Sequence, residues 1–101
     1  MGRPHKTHAL KVAKLLDPDA ELRGKKVFSS GKEFNPYGAK TCQHLMTELA
    51  ICVDWTSSEL SKGALYPVVY ERGRYQGRIA GDSLAEAVFD LSVFIAEANG
   101  E

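Results

Sequence analysis

The stretch LYPVVYERGRYQGRIAGDSLAEAV, residues 65–88, decides the fold, because it reads as strand, turn, strand and helix in one run. Tyr66, Val68 and Tyr70 alternate against Leu65, Pro67 and Val69, the two-residue period of a strand. Glu71-Arg72-Gly73-Arg74 is a hairpin turn in which Gly73 takes the positive φ, and Tyr75 to Ala80 returns as the partner strand. Pro67 has no N–H to give a ladder, which puts its strand at an edge or gives it a bulge. Ser83-Leu84-Ala85-Glu86 is a capping box, in which hydroxyl and carboxylate reciprocally satisfy free N–H groups at a helix start. The helix expected over 83–98 has its polar residues Ser83, Glu86, Asp90 and Glu97 on one narrow stripe, so most of it should be buried. Gly100 is its stop.

Upstream, Ala39, Cys42, Leu45, Met46 and Leu49 mark one face of a helix that Asn35-Pro36 would open, a capping side chain followed by proline. From Ala50 the period changes to alternation, with Ile51, Val53 and Trp55 on the side expected to face the core. Truncating Trp55 to Ala at such a position should cost about 3–5 kcal/mol. Residues 56–63 form a polar connection. Residues 6–16 form an amphipathic helix with Ala9, Val12, Ala13 and Leu16 inward. Asp17-Pro18 starts a further helical turn with Gly24 at its exit, and 24–35 read as loop with a short strand near Val27-Phe28. The order is helix, helix, three antiparallel strands, helix: an α+β fold with a small three-stranded sheet packed against helices.

At 101 residues the chain makes a single domain, 1–101, with 1–5 a flexible terminus. Its 44% hydrophobic and 26% charged composition is that of a globular protein. No apolar run spans a bilayer and no signal-type apolar segment follows the basic N-terminus, so a cytoplasmic setting is expected. Cys42 and Cys52 are too few for a disulfide scaffold, match no zinc spacing, and read as small buried hydrophobes. The net charge is zero but unevenly distributed. Residues 1–40 hold nine Lys/Arg against four acids, and residues 41–101 four against nine. Such polarity can steer a charged partner or promote self-association in a homo-oligomer.

Gly81-Asp82-Ser83-Leu84 spells the motif of GDSL-type esterases, but no histidine follows Ser83 to act as its base, and the helix cap accounts for the same residues. His5 and His8 fall near the terminus and His44 on a polar helix face, with no ligand spacing for a metal. No cofactor is implied, and the chain is not read as an enzyme. Gly2-Arg3-Pro4 is similar to the core of minor-groove-binding arms, but a single copy with few flanking basic residues reads as an ordinary mobile terminus. The hairpin interleaves Tyr66, Tyr70 and Tyr75 with Arg72, Arg74 and Arg78. Those residues can stack on bases and fork onto phosphates, can anchor a protein interface, or can simply half-cover the core.

From Phe34-Asn35-Pro36 through the strands to the Gly-Asp-Ser-Leu-Ala-Glu-Ala helix, the chain resembles the phage ABA sandwich family, small proteins of bacteriophages and prophages. A Pro-led helix running into a strand, an antiparallel pair and an Ala-rich closing helix carry the resemblance, and the Ala9–Gly24 segment fits the leading helix. The resemblance implies α/β/α layering, a phage origin in the host cytoplasm, and no catalytic residues. Two functions are expected from these readings. One is an accessory protein that binds a host protein, as an inhibitor of a defence system. The alternative is a nucleotide- or nucleic-acid-binding module using the hairpin.

Overall fold

The computed structural model describes residues 6–58, 60–63, 66–72 and 75–99, with the side chains of all but Arg72, Tyr75, Gln76 and Asn99. The expected terminal arm, the turn at Gly73 and the stop at Gly100 lie outside the described residues. The elements are α1 (Lys6–Leu16), β1 (Glu21–Arg23), β2 (Lys26–Ser29), β3 (Lys32–Glu33), α2 (Ala39–Leu49), β4 (Cys52–Val53), a 3-10 turn at Leu60–Lys62, β5 (Tyr66–Arg72), β6 (Tyr75–Gly81) and α3 (Leu84–Asn99). The strands form two antiparallel sheets, ordered β1-β2-β3 and β4-β5-β6. The fold is α+β, as expected.

α3 holds the layers together. It packs on β5 and β6 with one side and on α1 and α2 with another. Val12, Leu45, Val68, Phe89, Leu91 and Ile95 form the solvent-free centre. The approach of α3 to β6 is close at two glycines. A Cβ on Gly77 would meet the Phe94 ring at 2.9 Å, and one on Gly81 would meet the Ala87 backbone at 3.2 Å. Ser83 caps the helix, its hydroxyl accepting the Glu86 N–H at 3.2 Å. The reciprocal half of the box is absent: Glu86 Oε2 is buried without a hydrogen-bond partner.

The expected helical turn after Leu16 is replaced by a small sheet. The Asp17 carboxylate accepts the Asp19 N–H at 3.0 Å and the Ser29 hydroxyl at 2.9 Å, closing a turn at Pro18-Asp19 and tying α1 to the β2 strand end. The chain then runs extended. Ser29 pairs with Lys32 across a two-residue loop in which Ser30 (φ 54°) and Gly31 (φ 79°) are both left-handed, the geometry of a type I′ hairpin. Asn35-Pro36 likewise makes a turn before the helix instead of opening it. The Asn35 side chain accepts the Tyr37 N–H and its carbonyl accepts the Gly38 N–H, so α2 starts at Ala39 behind Gly38.

Pro67 stands in the central strand, not at an edge. Its carbonyl accepts the Asp54 N–H at 2.7 Å, so its missing N–H faces the same neighbour, β4. β4 ends at Val53. The Asp54 carbonyl that would have needed that N–H accepts Ser57 N–H instead, at 3.2 Å. A central proline is tolerated because its short neighbour stops beside it.

Trp55 is the main departure from expectation. It is 63% exposed and contributes nothing to the buried face that Ile51 and Val53 supply. The Asp54 carboxylate takes the Thr56 N–H (3.1 Å) and hydroxyl (2.8 Å), an Asx turn that ends the strand before Trp55. Cys52, expected inside, is exposed as well, while Cys42 is buried. Cys52 pairs with Val69 on the outer face, and Val53 with Val68 on the face toward α3.

Candidate functional site

The β-sheet separates the hairpin residues singled out by sequence. Directly paired residues share a face. Tyr66 pairs with Gly81, Val68 with Ile79, and Tyr70 with Gly77, and those glycines touch α3. Tyr66 and Tyr70 therefore lie on the core side. Tyr70, 7% exposed, belongs to the core, and Tyr66 is half-buried at its margin. Arg78 pairs with Val69 and lies on the opposite face. Its guanidinium donates to Asp54 Oδ2 at 2.9 Å. Arg72 is opposite Tyr75 in the ladder, their side chains outside the described set, and Arg74 lies outside the described residues. Tyr66, Tyr70 and Arg78 thus do not make one surface.

A different group collects at that end of the sheet. Trp55 packs edge-to-face on Tyr66, ring centroids 6.2 Å apart, on the Asx turn whose carboxylate holds Arg78. Hydrogen bonds from Thr56 and, less, from Arg78 hold the Asp54 carboxyl below its ordinary pKa. The carboxylate stays charged and the turn stays formed. The result is an exposed indole on a fixed loop, bordered by a tyrosine and an ion pair. Sequence alternation placed Trp55 inside. The signal against that was Asp54, an Asx-turn former directly before it.

A second feature lies on the other side of α3, around the β3–α2 connection. One cleft, of about 780 Å³, is lined by Lys6, Lys25, Lys26, Phe34, Asn35 and Tyr37, among others. A second, of about 610 Å³, shares Phe34 and Asn35 and adds Lys32, Lys40 and His44. Lys26 pairs with Glu33 at 3.6 Å. Among the described residues, no carboxylate lies within ion-pair distance of Lys6, Lys25, Lys32 or Lys40. Tyr37 sits edge-on to Phe89 at 5.4 Å, and burial, then Asp90 and Glu86, raise its hydroxyl pKa. Its ring is fixed from beneath.

Elsewhere the two charge halves meet where α1 lies on α3, with Lys11 paired to Glu97 at 3.4 Å. The Cys42 thiol is raised by burial, which suits a packing role. The Ser83 hydroxyl is engaged as the α3 cap. Among the described residues no group of three His, Cys, Asp or Glu side chains is placed to hold a metal, and no helix is long and apolar enough to cross a membrane. Comparison of the chain with family models, with curated proteins and with solved structures gives no match.

Proposed function

We propose that the chain is a non-catalytic binding domain that engages a protein partner through the Trp55–Tyr66 surface. The observation that carries this reading is the 63% exposure of Trp55, packed on Tyr66 and held by a hydrogen-bonded turn whose Asp54 is braced from the other sheet face by Arg78. Trp and Tyr are enriched among the anchors of protein interfaces, and an indole kept in water by a rigid turn needs no reorganisation on docking. The Ser83 hydroxyl serves as a helix cap, which supports binding over acyl transfer. The resemblance to small phage proteins supports a host protein as the partner and an accessory role, as an inhibitor of a defence system. That step rests on the sequence resemblance alone.

The test is capture from bacterial lysate on immobilised wild type and on Trp55→Ala, followed by rebinding of the purified candidate. Trp55→Ala is expected to weaken the captured partner's affinity by about 30-fold or more, the hot-spot range of 2 kcal/mol upward. A partner held equally by both proteins, or no partner held by wild type, refutes the assignment.

A further inference from the structure

The geometry points to a second binding site: the paired clefts around Phe34-Asn35 form a groove for a single strand of nucleic acid. This goes beyond the protein-binding reading and uses the opposite side of α3. Five lysines surround the two clefts, against two carboxylates, Asp17 and Glu33. Both acids are engaged. Asp17 takes Ser29, Ser30 and the Asp19 N–H, and Glu33 takes Lys26. Lys6, Lys25, Lys32 and Lys40 are all exposed. Asp90 and Glu86 act on Tyr37 from α3 but line neither cleft, so the cleft walls themselves carry an excess of positive charge.

The clefts also hold the apolar surface that a base requires. Half-buried Phe34 is a wall common to both, and half-buried Tyr37 lines the first. The Asn35 carboxamide borders both. Aromatic walls flanked by cations suit successive bases joined by phosphates, because every base has a stacking face. Lysine suits the backbone of such a ligand: it acts as a point charge and does not impose the fork geometry of arginine. Two neighbouring clefts of this size, joined at one aromatic, fit a chain of repeating units better than one compact anion. An acidic peptide would meet the lysines, but only a nucleic acid offers a stacking face at every repeat unit.

Fluorescence anisotropy with end-labelled oligo(U) and oligo(dT) tests the inference on the full chain. Binding should weaken as salt rises, with a log–log slope of about −0.7 per phosphate neutralised. Four lysines give a loss of roughly 50-fold between 50 and 200 mM salt. The triple variant Lys25→Ala/Lys32→Ala/Lys40→Ala should bind more weakly and lose only about 2.6-fold over the same range. Phe34→Leu, which keeps apolar packing, should reduce affinity about five-fold or more at fixed salt through lost stacking. Trp55→Ala should bind both oligomers as wild type does, which separates this site from the protein-binding surface. Tighter binding of oligo(U) assigns contacts to the 2′-hydroxyl, and equal binding assigns them to backbone and bases alone. Three results overturn the inference. They are no anisotropy change at 20 mM salt, an unchanged salt slope in the triple variant, and displacement by poly-glutamate or duplex DNA as effective as by the unlabelled single strand.

Discussion

Replacing Trp55 by alanine separates the two places the indole could occupy. Buried in the sheet, its truncation should cost about 3–5 kcal/mol. The structure leaves it 63% exposed, so little more than a third of the side chain is covered. A tryptophan presents about 250 Å² for burial. The covered part is then about 90 Å², worth about 2 kcal/mol at about 25 cal/mol per Å². That is an upper bound, because the denatured chain already hides some of this surface and alanine keeps the Cβ. The contact with Tyr66 adds little at an exposed site. The expected loss is about 1 kcal/mol. Trp55 is the chain's single tryptophan, so the variant has no indole fluorescence, and urea unfolding must be followed by circular dichroism. Phe89→Ala is the internal standard: that ring is 1% exposed and should cost about 3–5 kcal/mol. A loss of 3 kcal/mol or more for Trp55→Ala would return the indole to the core and remove the surface on which the protein-binding proposal rests.

Two further predictions concern α3. Gly81→Ala should lower stability by about 1–2 kcal/mol, a drop in Tm of roughly 5–15 °C, because its new Cβ would press on helix backbone that cannot rotate away. Gly77→Ala should be milder, since the atoms its Cβ would meet, the half-exposed Phe94 ring and Leu91 Cδ1 at 3.1 Å, are side chains and not backbone; thermal melts ranking Gly77→Ala as the worse variant would contradict this packing. Asp90→Asn should raise the urea midpoint at pH 7. Burial first, and then Glu86, raise the Asp90 pKa, while His8 opposes them. The native state therefore holds this proton more tightly than the unfolded chain does. Between the ordinary carboxylate value and the raised one, stability falls as pH rises. Asn should abolish that slope, and an unchanged pH profile would show that Asp90 does not set it. Asp17 and Asp54 act in the opposite sense. Their lowered values give stability that is lost only as pH falls below the ordinary carboxylate range.

Periodicity sustained over long elements was legible, and local chemistry competing with periodicity was not. The α1 boundaries, the β5–β6 pair and the capped α3 all follow from repeats of 3.6 or 2 residues backed by apolar side chains that are in fact buried. The failures fall at polar side chains that bond to their own backbone. Asp17 turns the chain where a second helical turn was expected, Asn35 makes a turn ahead of α2, and Asp54 ends β4 before the alternation reaches Trp55. Ser30-Gly31 was a readable hairpin signal, but its strands run only four and two residues and carry too little apolar pattern to show. The same physics moved the candidate surface. Tyr and Arg on alternate positions of a hairpin look contiguous in one dimension, yet the pleat sends Tyr70 into the core and Arg78 to the far face. Charge was the more durable signal. The excess of lysine in the first forty residues does not depend on register, and the fold gathers five of those lysines around Phe34-Asn35. An aromatic placed by an Asx turn and a cluster of five lysines of which, among the described residues, only Lys26 has an acidic partner both sit where folding stability alone gives them no reason to be. That is the physical basis for reading them as binding surfaces.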